Sequence, residues 1–406
     1  MKFDSVIIGG GLSALMCGIA LQRNGISSAI ISSGQSALHF SSGAMFLAKD
    51  RALLKEGHPL KGLSDKEFSS FQDEALDILQ KAGISMHGAS DSRHFILSPM
   101  GKLIPAWLSL EGYLSSDDAT KIPYSNVLIA NAENFLDFYT IFLIESLSSM
   151  GTKCKSIEFS LPDIEKKREN PTEMRSSNIA RIFDKEENIM ALAEILKREK
   201  GEAQCIILPA FLGFDTKNNA KRLEELCGVD IKVVGTLPPS VPGIQMQQSL
   251  RKYYESLGGE YLLGDQAVEA EIENGKVNWI KTKNHTDIAF KAKNYILATG
   301  SFFSQGIVAL NGSVKEPLFG LDTAYCEKRG DWYTDNLLEG QPFEEFGVVT
   351  DANLKGLKDR QSIDNLYVVG SILAGHNAIK DGCGAGVAVL TALKVAHSIS
   401  QEDERE

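Results

Sequence analysis

Apolar runs alternate with amphipathic stretches along this chain, and glycines stand between them. The first apolar run, residues 6–8, is β-branched and predicts a buried strand. The apolar stretch that follows predicts a helix to Leu21, which ends at Asn24-Gly25, and residues 28–32 predict the second strand. The chain therefore begins as strand, glycine turn, helix and strand, which is the order of an α/β domain.

The later part of the chain shows the same two patterns, apolar runs that predict strands and amphipathic stretches that predict helices. Predicted strands are residues 127–130, 205–209, 231–234, 259–263, 287–289, 294–298 and 365–370, and a hairpin of residues 268–272 and 277–282 turns at Asn274-Gly275. Predicted helices are residues 64–83, which begin with a capping box, and residues 135–149, 185–200, 218–226, 245–257 and 384–399. Residues 236–243 are rich in proline and predict a stiff loop. The pattern predicts an α/β fold.

The turn after the first strand has the pattern Gly-x-Gly-x-x-Ala. In dinucleotide-type folds the first glycine makes the turn, the second lets the backbone approach a phosphate, and a small third residue lets the helix pack on the strand. The helix N-terminus adds unpaired N–H groups and the positive end of the helix dipole. We therefore expect a phosphate site, the alternative being a glycine turn without a ligand. Its residues are Gly9, Gly10, Gly11, Leu12 and Ser13.

The end of the second strand distinguishes two kinds of cofactor. Dinucleotide binders carry an Asp or Glu there, which accepts hydrogen bonds from the ribose of the adenosine half. This chain has Ser32, Ser33 and Gly34 instead, and no carboxylate stands within several residues. A phosphate site without an acidic residue for the adenosine ribose predicts the mononucleotide FMN, with Ser33 and Gly34 beside it. The alternative is FAD, with its ribose held by another group.

Further candidate contacts to a flavin are small residues at strand ends and helix starts. Ser41, Ser42 and Gly43 allow close approach, and His39 beside them is a candidate catalytic proton donor or a residue with a local hydrogen bond. Cys383 precedes the last helix, which predicts a lowered thiol pKa, with a redox thiol and a packed small residue as alternatives. The other candidate contacts are Thr299, Gly300, Gly370, Ser371, Gly384 and Ala385.

Two arginines are candidates for anion binding. Arg175 and Arg181 stand six positions apart around a predicted helix start, with hydroxyl and amide side chains between them. This arrangement favours a bound phosphate or carboxylate. The alternatives are a solvated helix face, a salt bridge between subunits and a docking contact to a partner.

Composition narrows the class of protein. The 406 residues are 43% hydrophobic and 23% charged, as in a globular protein of two or three domains. The net charge of −11 argues against a nucleic-acid partner. The six cysteines include no CxxC pair, so no metal site is predicted and a cytoplasmic compartment is expected. No signal peptide or membrane-spanning run is evident, so membrane association is expected only at the periphery, through partners.

Four stretches carry a resemblance to a known family. At the level of the wider superfamily, the glycine turn, the strand end Ala298-Thr299-Gly300 and the strand of residues 365–370 with its glycine-led helix resemble two-domain flavoprotein dehydrogenases of the fumarate-reductase and glutathione-reductase type. More closely, nearly the whole chain resembles the B subunits of bacterial anaerobic glycerol-3-phosphate dehydrogenases. One departure from the wider superfamily is Ser371, where many relatives carry an Asp that holds the ribityl chain. The four stretches are residues 34–43, 178–184, 236–241 and 298–304.

The resemblance implies a Rossmann-like flavin-binding domain and an FMN-containing subunit with two partners. These are an FAD-containing partner subunit and an iron–sulfur partner subunit that anchors the complex to the inner face of the cell membrane. The implied activity is quinone-dependent (EC 1.1.5.3): sn-glycerol 3-phosphate is oxidised to dihydroxyacetone phosphate, and electrons pass to the quinone pool. No arginine-plus-histidine set is evident near the flavin motifs, so the substrate site is expected either here or in the FAD-containing partner.

The expected domain organisation is discontinuous. Residues 1–50, 245–310 and 355–400 form the flavin-binding domain, residues 51–244 an inserted α/β domain for substrate or partner, and residues 311–354 a capping connection. Two other functional classes stay open at this point. One is a stand-alone flavin oxidoreductase, FAD-dependent or nicotinamide-linked, although a second glycine fingerprint for the nicotinamide cofactor is not evident. The other is a scaffold that has lost its flavin.

Overall fold

A computed structural model describes residues 2–48, 50–89, 93–214 and 218–405 of the chain. The contacts divide the chain into two compact units. The first unit consists of Met1–Ala37, Met45–Ile84 and Gln247–Glu406, and the second of Leu38–Ala44 and Ser85–Met246. The N-terminal glycine turn and the glycine-led last helix therefore belong to the same unit. The functional domain boundaries expected from the sequence stay a prediction.

The described strands and helices follow one another in an α/β order. The strands are β1 (Lys2–Ile8), β2 (Ser28–Ser32), β3 (Met86–His87), β4 (His94–Leu97), β5 (Leu103–Ala106), β6 (Ser109–Leu110), β7 (Ser115–Ser116), β8 (Asn126–Ala132), β9 (Lys153–Phe159), β10 (Cys205–Pro209), β11 (Asp230–Val234), β12 (Glu260–Leu263), β13 (Ala267–Glu273), β14 (Lys276–Thr282), β15 (Lys291–Leu297), β16 (Val308–Ala309), β17 (Val314–Lys315), β18 (Thr323–Ala324), β19 (Gly347–Val348), β20 (Lys355–Lys358) and β21 (Gln361–Val368). The α-helices are α1 (Leu12–Arg23), α2 (Asp65–Lys81), α3 (Thr140–Ser149), α4 (Pro162–Arg168), α5 (Ser176–Ile182), α6 (Glu186–Glu199), α7 (Asn219–Cys227), α8 (Val241–Ser256) and α9 (Gly384–Asp403).

The first unit is built on a six-stranded sheet in the order β12-β2-β1-β15-β21-β20. The first five strands are parallel, and β20 pairs antiparallel with β21 at the edge. Parallel strands bring their carboxyl ends to the same edge of a sheet, which is where ligands bind in open α/β sheets. The ends of β1, β15 and β21, and the helix starts that follow β1 and β21, therefore lie on one side of this unit. The α/β fold expected from the sequence is confirmed.

The second unit has its own parallel sheet, in the order β11-β10-β8-β9. Strand β10 is a fully buried apolar run, as expected for a strand that is covered on both faces, and β8 is buried from Val127 to Ala132. Three buried aromatic rings lie within its core. Phe211 stacks on Phe183, with 5.6 Å between the ring centroids, and meets Phe135 edge-on at 5.2 Å.

Two helices and one strand are among the predicted elements that differ from the structure. Helix α3 begins at Thr140 and not at residue 135, because the amide of Asn131 donates to the Phe135 carbonyl at 3.1 Å and the Asp137 carbonyl accepts from the Leu237 N–H. Helix α8 begins at Val241, since a proline is accepted in the first helical turn. Residues 287–289 form no strand, and only the next residue, Phe290, pairs with Ile280.

Candidate functional site

The turn after β1 is shaped by Gly9. Its φ is +113°, a value that disfavours every residue with a side chain, and a Cβ there would overlap the carbonyl oxygen of Ala298. The Gly9 N–H donates to the Ile31 carbonyl at 2.8 Å, which holds the turn at the end of β2. The predicted role of the first glycine as the turning residue agrees with this geometry.

The next two glycines have different surroundings. A Cβ on Gly10 would overlap the hydroxyl groups of Ser32 and Tyr261, and the Tyr261 hydroxyl donates to the Gly10 carbonyl at 3.1 Å. Gly10 is therefore required by packing inside the protein. A Cβ on Gly11 would meet only the Cβ of Ser36, at 3.9 Å. The space beside Gly11 is open to a ligand.

Helix α1 begins without a side-chain cap. Gly11 is its N-cap residue, and the N–H groups of Gly11, Leu12 and Ser13 donate to no other group in the described part of the chain. Unpaired N–H groups and the helix dipole make such a terminus an anion site. Ala14, the small third residue of the pattern, is fully buried, which allows the helix to lie close to the sheet.

The ends of β15 and β21 contribute a second group of small residues. The Thr299 hydroxyl is buried and has no hydrogen-bond partner within the described residues. A Cβ on Gly300 would lie 3.6 Å from the Ser371 hydroxyl oxygen, so these two residues are neighbours. Gly370 has a φ of +80°, and a Cβ there would overlap the Ser13 hydroxyl. The structure thus brings the candidate contacts of three strand ends together.

Helix α9 supplies a second uncapped N-terminus in the same unit. Its N-cap residue, Cys383, makes no side-chain cap, and the N–H groups of Gly384 and Ala385 donate to no group in the part of the chain that the structure describes. The next amide, that of Gly386, is paired with the Phe46 carbonyl at 2.9 Å. Two unpaired amides therefore remain at the start of this 20-residue helix.

These features fit a flavin nucleotide. The uncapped start of α1 and the open space at Gly11 suit a phosphate. The buried Thr299 hydroxyl lacks the partner that buried polar groups nearly always have, and a hydroxyl or carbonyl group of a ligand would provide it. The start of α9 suits a group on which negative charge develops, such as a reduced flavin.

The end of β2 offers no carboxylate to an adenosine ribose. The Ser32 hydroxyl donates to the Gly34 carbonyl at 2.9 Å, and Ser33 is exposed. The acid that follows the neighbouring strand β12 is Asp265, and its carboxylate is already bonded. It accepts from the amides of Gln266 and Asn284 at 2.9 and 3.0 Å and lies 2.6 Å from Nδ1 of His285.

The other predicted loop lies in the second unit. Gly43 has a φ of +87°, and its N–H donates to the Ser41 hydroxyl at 3.2 Å. The Ser42 carbonyl accepts from the Tyr113 hydroxyl, and the His39 carbonyl accepts from the Ser240 N–H at 2.7 Å. The side chain of His39 is partly exposed. These contacts fix the loop within its own unit.

The two candidate anion-binding arginines have separate partners in the second unit. Arg175 donates to the carboxylate of Asp137 at 3.1 Å, and this carboxylate is buried. The guanidinium of Arg181 lies 4.9 Å from the centroid of the Phe214 ring. Arg175 is the N-cap residue of α5, a helix of seven residues.

A cluster that sequence reasoning missed lies at the start of α9. His58, Asp381 and Cys383 bring their ligand-forming atoms within 4.8 Å of one another, and the ring of His376 meets that of His58 edge-on at 5.9 Å. Burial raises the pKa of the Cys383 thiol to about 12, so the expectation of a lowered thiol pKa was wrong. The glycine-led helix indicated Cys383, but no local pattern connects it to His58, 325 positions away.

Comparison with known proteins decides the family. The FAD binding domain family matches residues 4–65 and 66–387. The B subunit of the anaerobic glycerol-3-phosphate dehydrogenase of Yersinia enterocolitica is 37% identical, over 98% of this chain and 98% of its own length. The corresponding B subunit of Pectobacterium atrosepticum is 36% identical, over 99% of each chain. The chain belongs to this B-subunit family.

Membership in the B-subunit family confirms the resemblance found in the sequence and makes the chain a flavoprotein of the oxidoreductase class. Among solved structures, the chain is similar to 3-ketosteroid delta1-dehydrogenase from Sterolibacterium denitrificans, with 10% identity and a TM-score of 0.41 over 99% of this chain and 100% of that one. In the part of the present chain that the structure describes, no helix is both long enough and apolar enough to cross a membrane.

Proposed function

We propose that this chain is the FMN-bearing subunit of a quinone-linked complex that oxidises sn-glycerol 3-phosphate to dihydroxyacetone phosphate, the activity of class EC 1.1.5.3. The observation that supports the flavin site is that the uncapped start of α1 and the Thr299 hydroxyl, which has no partner among the described residues, both lie at one edge of the first sheet. The proposed substrate is supported by the names of the relatives, which are 36–37% identical over nearly the full chain.

The residues of the first unit would hold the flavin at two helix starts. The amides of Gly11, Leu12 and Ser13 would bind the phosphate, and the Thr299 hydroxyl would donate to or accept from the ribityl chain. The amides of Gly384 and Ala385 would face the ring and stabilise negative charge on it. Bound flavin supplies a two-electron acceptor.

FMN is proposed in preference to FAD because the end of β2 lacks a carboxylate that could accept from an adenosine ribose. The Ser32 hydroxyl donates to the Gly34 carbonyl. The Asp265 carboxylate accepts from two backbone amides and contacts the His285 ring. The family match is to an FAD binding domain, so direct measurement of the released flavin decides between the two.

The two units are proposed to have different roles. The first unit would carry the flavin, whereas the second unit, with His39, Ser41, Ser42 and Gly43 in its loop, would meet the substrate or a partner chain. Arg175 is paired with Asp137, and Arg181 lies on Phe214, which favours a substrate phosphate site in a partner over one in this chain. This chain would then relay electrons.

The proposed partners are an FAD-containing subunit and an iron–sulfur subunit that anchors the complex to the inner face of the cell membrane. The relatives are named as B subunits, which supports a complex of several chains. The described residues of this chain include no helix that could span a membrane. The proposed partners would bring the chain to the membrane, where the quinone pool is. Copurification of the tagged chain with both partners from its own host tests this part of the proposal.

The substrate site is tested by anaerobic titration with glycerol 3-phosphate, followed by flavin absorbance. The relay proposal predicts that the flavin of the isolated chain stays oxidised and is bleached only after the FAD-containing partner is added. Bleaching in the isolated chain would place the substrate site here. A flavin that stays oxidised in the complete complex, while that complex turns over, would contradict the relay.

A further inference from the structure

A buried histidine–cysteine pair lies at the start of α9. Cys383 Sγ is 3.4 Å from Nε2 of His58, and both side chains are buried. Oδ2 of Asp381 lies 3.7 Å from the same Nε2 atom and accepts from the Asn377 N–H at 2.8 Å. The pair joins the turn before α9 to the short 3₁₀ turn Pro59–Gly62, whose N-cap residue is His58.

The second ring nitrogen of His58 fixes where its proton lies. The Leu60 N–H donates to Nδ1 at 3.1 Å, so Nδ1 carries no proton. Burial lowers the pKa of the ring to about 4, so the ring is neutral at pH 7. The single ring proton is therefore on Nε2, the nitrogen that faces Cys383 Sγ. The imidazole is a hydrogen-bond donor and the sulfur is its acceptor.

The same arrangement argues against a metal ion. The atoms of His58, Asp381 and Cys383 are close enough to share one. A metal on Nε2 would leave the ring proton on Nδ1, where it would face the Leu60 N–H, donor against donor. The geometry fits a hydrogen bond better than a coordination site.

We propose that the Nε2–H group of His58 donates to Cys383 Sγ and that this bond positions the first turn of α9 for the flavin. The inference rests on the proposed function, because Gly384 and Ala385 follow Cys383 directly and are proposed flavin contacts. The Cys383 backbone is part of the helix start: its N–H donates to the Ala378 carbonyl at 3.3 Å, and its carbonyl accepts from the Val387 N–H at 2.8 Å. The hydrogen bond to His58 therefore holds the residue that immediately precedes these amides.

Paired variants separate the hydrogen bond from simple packing. His58→Leu and Cys383→Ala each remove one partner, whereas His58→Gln keeps an N–H donor and Cys383→Ser keeps an acceptor. We expect the first two to weaken FMN binding about tenfold, the factor expected for one buried hydrogen bond, and to shift the flavin absorption bands. The glutamine and serine variants should bind FMN within about threefold of the wild type.

A matched control lies farther along the same helix. His397 bonds to Glu74 at 2.6 Å, about 20 Å from the start of α9. His397→Leu also breaks a histidine contact of α9 and should leave the FMN affinity and spectrum unchanged. Thermal unfolding of the flavin-free proteins shows which variants fold. If His58→Leu does not fold, Cys383→Ala and the His58 tautomer of the wild-type protein still decide the proposal.

The tautomer is measured directly in wild-type protein labelled with ¹⁵N-histidine. Long-range ¹H–¹⁵N spectra should show the His58 proton on Nε2, with the signal assigned by its loss in His58→Gln. A proton on Nδ1, a stoichiometric metal in the purified protein, or wild-type FMN affinity in both His58→Leu and Cys383→Ala would overturn the inference. Protein that binds no flavin would refute the proposed function, while the tautomer would still report on the hydrogen bond.

Discussion

The backbone of Gly9 lies so close to the carbonyl oxygen of Ala298 that any side chain at residue 9 would overlap this oxygen. The contact joins the end of β1 to the end of β15, and it leaves a turn that only glycine makes without strain. Two positions later, Gly11 meets no such obstacle. Gly9 is therefore required by the fold, whereas Gly11 leaves the space in which the proposed flavin phosphate would bind.

Alanine at each glycine should separate these two roles. Gly9→Ala should lower the free energy of unfolding by about 3 kcal/mol, because its Cβ meets backbone and its φ is positive. Gly11→Ala should cost at most about 1 kcal/mol, the penalty of alanine at an N-cap, and yet lose most of the flavin affinity. Urea unfolding and flavin titration measure both. Tight flavin binding by Gly11→Ala would contradict a phosphate at this position.

Removal of the Thr299 hydroxyl should stabilise the flavin-free protein and weaken the binding of flavin. Thr299→Val deletes a buried hydroxyl that has no partner among the described residues, so the flavin-free protein should gain about 1 kcal/mol in its free energy of unfolding. The flavin should bind about tenfold more weakly. Unfolding with and without flavin checks both signs.

The control for this substitution is Thr282→Val. Thr282 is also buried, but its hydroxyl lies 3.4 Å from the His285 ring, so this substitution should destabilise the protein and leave flavin binding unchanged. The same change in flavin affinity for both valine variants would show that Thr299 has no special contact with the ligand.

The Arg175–Asp137 pair should contribute to stability and not to substrate affinity. Arg175→Ala leaves the buried Asp137 carboxylate without its cation and should lower the free energy of unfolding by about 1 kcal/mol, since the arginine side chain is itself half exposed. A double-mutant cycle with Asp137→Asn measures the coupling. A large rise in KM for glycerol 3-phosphate in the assembled complex, without a loss of stability, would favour the anion site expected from the sequence.

The His397–Glu74 contact should make stability depend on pH. The hydrogen bond that His397 donates to the Glu74 carboxylate holds the pKa of His397 above its ordinary value of 6.5. A raised pKa in the folded state stabilises the protein below pH 6.5, and this contribution is lost as the pH rises through the raised pKa. Because the histidine is 40% exposed, the loss should be only about 0.5 kcal/mol.

The matched variant for the pH dependence is His397→Gln. Urea unfolding of the wild type and of this variant at about pH 6 and about pH 9 should show a difference that shrinks as the pH rises. A difference that stays constant across this range would mean that the histidine is not charged in the folded protein.

Local signals in the sequence were sufficient for much of the fold. The capping box at Ser64 begins α2 with both of its reciprocal hydrogen bonds, and Asn274-Gly275 turns the hairpin with positive φ at both residues. Strand β2 has the predicted bounds. These elements are set by residues only a few positions apart, which is why the sequence alone predicts them.

Long-range contacts account for what the sequence did not predict. The start of α3 is delayed because carbonyl groups at Phe135 and Asp137 bond outside the helix, to Asn131 and Leu237. The Cys383 pKa is raised because the thiol is buried, which a helix start alone does not reveal. At the candidate site, the spacing indicated the glycines, whereas only the structure shows that the Thr299 hydroxyl has no partner within the described part of the chain.

The most direct test of the account is the identity and amount of flavin released by acid from the purified chain. The account predicts one FMN per chain in the wild type, and little or none in Gly11→Ala protein that unfolds like the wild type. Stoichiometric FAD would contradict the assignment of a mononucleotide. A wild-type chain that is folded but carries and binds no flavin would contradict the central claim that the glycine turn of the first unit is a flavin site.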